Sequence, residues 1–147
     1  MDQVRIIKFL KDQGQVTLQL PGDKMLQLLP RESWKKDQGN DWIFLLYDLF
    51  QIRSICQSFS EVSLDIVDFA SKPTIYHSPV NKLLEEAPVV DGLVKFSLIR
   101  EPNWNKLLFQ IGKPILARLQ EGTSGDIVIE VPFPLQIKDV KELFLGA

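Results

Sequence analysis

The chain carries one cysteine, Cys56, and one histidine, His77, so the side chains that do most nucleophilic, proton-transfer and zinc chemistry occur once each. Zinc sites need three or four such ligands and an internal disulfide needs two cysteines, so the sequence points to no metal and no disulfide. Cys56 stands in an apolar run, Leu49 to Phe59, whose spacing predicts a helix, and a thiol there reads as a small buried hydrophobe. His77 ends a β-branched and aromatic run, and no Gly-x-Ser-x-Gly context supplies a nucleophile for it to activate. Among the carboxylates, Asp65 and Asp68 share one helix face, read as a solvated surface, whereas the adjacent Glu85 and Glu86 do not. Trp34 beside Lys35 and Lys36 interleaves aromatic and cationic groups in a loop; a solvated loop with one hydrophobic anchor accounts for it better than a nucleic-acid contact. Neither the Gly-x-x-x-x-Gly-Lys-Ser/Thr nor the Gly-x-Gly-x-x-Gly phosphate loop is present. Gly122-Thr123-Ser124-Gly125 offers a small nest of backbone N–H groups with two hydroxyls, although a plain hairpin turn uses the same residues.

The elements that must position these groups can be read from periodicity. Val4, Ile7 and Leu10 recur at helical spacing up to Gly14, which suits a left-handed helix end. Gln15 to Leu20 alternates as a strand into the Pro21-Gly22-Asp23 turn, and a short apolar stretch, Met25 to Leu29, follows. Arg31 to Asp41 is polar, with Trp34 its one apolar residue, and reads as the most mobile connection. Trp42 to Leu46 is a continuous apolar run, the pattern of a central strand covered on both faces. After the helix over 49–59, a second spans Val62 to Phe69 with Ser60 as N-cap. Lys72 to His77 is a strand, Ser78 to Pro88 a loop with a short helical piece, and Asp91-Gly92 a turn into the strand Leu93 to Ile99. Pro102 opens a helix with Trp104, Leu107, Leu108 and Ile111 on one stripe, closed by Gly112. Strands over Pro114 to Leu119 and Ile127 to Val131 flank the polar turn Gln120 to Asp126, and a last helix is expected from Ile137 to Leu145. Strands alternating with helices predict a single α/β domain over residues 1–147 with a mixed sheet.

Composition fits that expectation. The 147 residues are 45% hydrophobic and 24% charged, enough for a self-sufficient core. Charges interrupt the first eleven residues and no run reaches the roughly 20 apolar residues of a membrane span, so a cytoplasmic, non-membrane protein is expected. A net charge of −2 gives no global field that draws the chain to nucleic acid.

The order of segments resembles the YrdC family, whose members include threonylcarbamoyl-AMP synthases acting on threonine, bicarbonate and ATP in tRNA modification. Val16 to Leu20 leading into Pro21 to Leu28 stands where that family has a strand entering Pro-Thr-x-Thr-x-Tyr-Gly-Leu. Trp42 to Leu46, the helical pair 48–69, Lys72-Pro73-Thr74-Ile75-Tyr76, the stretch Pro79 to Leu83 containing Asn81, and Asp91-Gly92 follow in family order. Leu107 to Ile115 keeps the family's helix ending in Gly-Lys-Pro-Ile, after which the Ser-Ala-Asn-x-Ser-Gly signature is mostly lost.

The resemblance implies a twisted mixed open sheet with flanking helices and a substrate cradle, and it shows which groups have changed. Gly22 and Lys24 replace the two threonines of the first motif and Leu26 its tyrosine. The family's Lys-x-Arg element is matched only by Lys35-Lys36, its strand arginine falls at Ser97, and its Ser-Ala-Asn falls near Leu119-Gln120-Glu121. A triphosphate needs cationic or N–H donors at its oxygens, and a carboxylate such as Glu121 repels it. The expectation is a divergent YrdC-like domain without the synthase reaction and without a cofactor, retaining ligand or double-stranded RNA binding, with tRNA or a protein as other partners. The rival expectation is an active synthase-like nucleotidyltransferase that uses substituted residues. The remnant ligand-binding residues would be Thr74, Tyr76 and Asn81 on one wall and Thr123 and Ser124 on another.

Overall fold

The computed structural model describes residues 1–57, 60–84, 86–135 and 141–145. Helix α1 (Gln3–Gln13) starts where the Asp2 carboxylate accepts the Arg5 N–H at 3.0 Å and ends at Gly14, in the left-handed region at φ 77°. Strands β1 (Val16–Leu20) and β2 (Lys24–Pro30) form an antiparallel hairpin, so the apolar stretch after the Pro21-Gly22-Asp23 turn is the returning strand. The polar connection that follows is tied down. Trp34 is buried, its indole N–H donates to the Gly39 carbonyl at 2.9 Å, and the Trp42 indole donates to the Gln38 carbonyl at 3.0 Å.

Strand β3 (Ile43–Leu46) is interior, as its unbroken apolar run predicts. A 3-10 turn and the single-turn helix α2 (Ile52–Ile55) come next, then helix α3 (Glu61–Phe69), whose first turn is capped by the Ser60 hydroxyl. Strands β4 (Thr74–Pro79) and β5 (Leu93–Leu98) form an antiparallel pair, and helix α4 (Pro102–Ile111) runs to Gly112. Strands β6 (Ile115–Glu121), β7 (Ile127–Val128) and β8 (Lys141–Phe144) complete, among the described residues, one eight-stranded mixed sheet in the order β7-β1-β2-β6-β3-β5-β4-β8. Its longest pairing joins β2 to β6, with Lys24 opposite Glu121 and Pro30 opposite Ile115.

Side-chain alternation gives the sheet two apolar faces. On the first, Leu18, Leu26, Leu28, Leu45, Ile115 and Ala117 pack under α1, α4 and the chain from Ile127 to Leu135. On the second, Phe44, Leu46, Phe96 and Leu116 pack with Ile52 and Ile55 of α2, Val67 of α3 and the buried Trp34 and Trp42. No described helix is long and apolar enough to cross a membrane.

Four sequence expectations need correction. The helix over 49–59 breaks at Cys56, which is extended and bridges to Val80 while Gln57 N–H bonds the Pro79 carbonyl; pairing with the end of β4 draws the chain out of the helix, and Ser58 and Phe59 lie outside the described residues. Residues 141–144 of the expected last helix are strand β8, parallel to Thr74–His77, and residues 136–140 lie outside the described residues. Such short apolar runs fit either period, and here the open edge of β4 decides. The strand expected over 127–131 is regular only at Ile127 and Val128, and the described part of 78–88 contains turns but no helix.

Candidate functional site

In open α/β sheets ligands settle at the carboxyl ends of strands, where the following chain segments leave toward opposite faces. Here β3 is followed by α2 and α3 on the second face, while β5 is followed by α4 on the first. The two strand ends are locked together by the Ile99 N–H donating to the Leu46 carbonyl at 2.8 Å and by the Asn105 amide donating to both Tyr47 and Ile99 carbonyls at 2.8 Å. At the carboxyl end of β5 a crevice of about 290 Å³ opens between the end of α3, the start of β4 and the loop into α4.

Two of the residues singled out from the sequence, Thr74 and Tyr76, line this crevice. They share one side of β4, and both are buried. The Thr74 hydroxyl donates to the Lys72 carbonyl at 2.9 Å. Burial pushes the Tyr76 phenol above its ordinary range, outweighing a hydrogen bond with Thr74 and the nearby Arg100 charge, so it stays protonated at neutral pH. Lys72, Arg100 and Glu101, which sequence reading did not pick out, supply the charges. Arg100 Nη2 donates to the Val67 and Asp68 carbonyls at 3.1 and 2.7 Å, capping the last turn of α3, and lies 3.9 Å from the Asp68 carboxylate. Glu101 is turned away to cap α4: it accepts the Trp104 N–H at 2.8 Å and the Asn103 amide at 2.9 Å. Burial raises its carboxyl, but these bonds outweigh that and hold it below the usual carboxylate range. The position of Arg100, directly before the Glu101-Pro102 helix start, was the available signal.

The other sequence candidates lie elsewhere. Asn81 is a staple, donating to the Arg53 carbonyl at 2.8 Å and accepting the Leu83 N–H at 2.9 Å. Thr123 and Ser124 sit beside β1 and β2, with β6, β3 and β5 between them and β4, so the two expected walls do not face each other. Their glycine loop is filled by Gln19, whose amide donates to the Gly122 carbonyl at 2.9 Å and accepts the Gly125 N–H at 3.0 Å. A Cβ at Gly125 would lie 2.5 Å from the Gln19 nitrogen, so glycine is needed for that close approach. His77 lies within β4 rather than at its end, 3.1 Å from Glu142 and stacked on Phe144 at 4.2 Å. Cys56 is buried, and burial pushes its thiol up to about 12. Glu86 is 3.3 Å from Lys35, and no group of three metal-binding side chains occurs among the described residues.

Three of the positions that the resemblance assigns to the substrate cradle, Leu26, Leu119 and Ser97, lie in or against the core, whereas Gly22 and Glu121 are exposed. Leu26 is opposite Leu119 across β2 and β6, fully buried in the apolar cluster that also holds Ile127, Ile129, Phe133 and Leu135, and Leu119 packs against that cluster. The Trp104 indole donates to the Pro132 carbonyl at 2.9 Å, fastening the covering segment to α4. Ser97 has no exposed surface, and its hydroxyl donates to the Thr74 carbonyl at 2.8 Å.

No protein-family model matches the sequence, and no curated protein matches it either. Solved structures do match. P. abyssi Sua5 aligns over 100% of this chain at 13% identity with TM-score 0.68, covering 55% of that chain, and a second Sua5 structure, complexed with L-threonine, gives TM-score 0.60 over 48% of its chain. E. coli YciO gives TM-score 0.63 at 13% identity, over 99% of this chain and 79% of that one. Full-length HypF in its phosphate- and nucleotide-bound form gives TM-score 0.59 at 18% identity, over 98% of this chain and 24% of that one. The chain thus spans about a quarter of HypF and about half of Sua5. These neighbours are YrdC-type domains, and this chain has the YrdC-like fold.

Proposed function

We propose that this chain is a YrdC-fold binding domain that does not make threonylcarbamoyl-AMP. One observation carries the reading: Leu26 and Leu119, at positions where the resemblance puts a substrate-holding tyrosine and serine, pack together in the first-face core. A leucine side chain offers no hydrogen bond to an amino acid or a phosphate, and an ATP-dependent reaction depends on positioned donors for most of its catalysis. Ser97 adds to this, since its hydroxyl is already engaged by the backbone of β4.

Small-molecule or protein binding is favoured over double-stranded RNA or tRNA. Phosphate backbones are held by unpaired Lys and Arg. The net charge of −2 gives no global attraction to such a backbone, and Trp34 is turned into the core instead of offering a stacking face. The test supplies the chain with magnesium-ATP, L-threonine and bicarbonate and measures pyrophosphate release, alongside a calorimetric titration with magnesium-ATP. No turnover and no saturable ATP heat are expected; pyrophosphate formation that depends on threonine overturns the reading.

A further inference from the structure

We propose that the crevice at the carboxyl end of β5 binds a small organic anion, a carboxylate or phosphate monoester carried on a short apolar body. Its volume, about 290 Å³, lies at the lower limit of small-molecule sites. Val67, Leu98 and Pro134 supply apolar wall for the body of the ligand. The polar groups free to act at the mouth are donors. Lys72 has no ion-pair partner among the described residues, and Arg100 spends only Nη2 on the α3 carbonyls, leaving Nε and Nη1 without a hydrogen bond among them.

Two carboxylates stand near enough to oppose an anion, and both are engaged. Glu101 is committed to the N-terminus of α4 through two hydrogen bonds, where the helix dipole offsets its charge. Asp68 faces Arg100 at 3.9 Å, an exposed and loose pair that a better-placed anion displaces at little cost. A neutral ligand would leave the Lys72 charge without a counterpart, and a cation would meet it directly.

The proposal takes from the preceding reading only that Leu26 and Leu119 pack together where the resemblance puts substrate-holding groups, and its test is separate. The full chain, labelled with ¹⁵N, is titrated with phenylphosphate, with benzoate, with inorganic phosphate and with neutral benzyl alcohol. One or both aromatic anions should give saturable shifts at amides of residues 70–74 and 98–101, with inorganic phosphate and benzyl alcohol each at least tenfold weaker. Lys72→Gln, at an exposed side chain, should weaken binding by about threefold to fivefold, the most that one exposed ion pair gives. Ala70→Trp, which fills the crevice, should abolish the shifts, its folding checked in the same spectra; Lys72→Gln remains the test if it does not fold. Saturation by neither aromatic anion, equal binding of benzyl alcohol or bare phosphate, or unchanged affinity in Lys72→Gln overturns the proposal. Failure here leaves the pyrophosphate result standing, and turnover in that assay leaves this titration standing.

Discussion

Truncating Leu26 to alanine separates a closed cradle from an open groove. Leu26 has no exposed surface and sits in register between Leu18 of β1 and Leu119 of β6. Removing its buried branch forfeits the transfer free energy of the lost carbons and leaves a cavity, together about 2–5 kcal/mol. For a domain of this length each kcal/mol moves the midpoint by about 2–4 °C, so a loss of about 3 kcal/mol lowers Tm by roughly 6–12 °C. Urea unfolding followed by tryptophan fluorescence is well suited to the measurement, because Trp34, Trp42 and Trp104 are all buried. Val128→Ala, at a side chain 75% exposed, serves as the control and should stay within about 0.5 kcal/mol of the parent. If Leu26 lined an open groove, its truncation would cost no more than the control. A loss below about 1 kcal/mol refutes the burial reasoning and, with it, the observation on which the absence of synthase chemistry rests.

Two other outcomes are expected. Glu101→Ala removes the cap of α4 and should cost about 0.5–2 kcal/mol at pH 7. Because the folded carboxyl is held below its ordinary range, that contribution is complete above the unfolded pKa and is lost as pH falls through the folded one. The gap between parent and variant, read from urea unfolding, should therefore narrow below about pH 4, and a gap undiminished at pH 3 refutes the assignment. Cys56, with its thiol pushed up to about 12, should be inert to a thiol-specific reagent at pH 8 in the folded chain and react fully in denaturant; rapid labelling of the folded chain contradicts its burial.

Local chemistry made most of the fold legible. Gly14 and Gly112 mark the ends of α1 and α4 because only a left-handed residue closes them, and Pro102 marks the start of α4. The unbroken apolar run at 42–46 identifies an interior strand because both its faces are covered. What escaped was set by distant partners. Cys56 leaves the helical path for a bridge to Val80, and Lys141–Phe144 becomes a strand because β4 offers an edge, neither of which a period of 3.6 or 2 records. The candidate site divides the same way. Thr74 and Tyr76 stand on one strand and line one crevice, which Arg100 joins only through the turn between β5 and α4. Thr123 and Ser124, expected on another wall, are separated from β4 by strand order, which local sequence does not encode.

The long β2–β6 pairing governs when this protein can fold. Lys24 must wait for Glu121 and Pro30 for Ile115, so the outer edge of the first hairpin stays unsatisfied until most of the chain exists. At ribosomal speeds of about 5–20 residues per second, that interval is roughly 5–20 s. Throughout it the hairpin presents Leu26, Leu28 and Leu29 beside a row of open backbone donors and acceptors, the arrangement that recruits foreign strands. The outer edge of β2 is therefore the part of the nascent domain with most to gain from being shielded until β6 emerges.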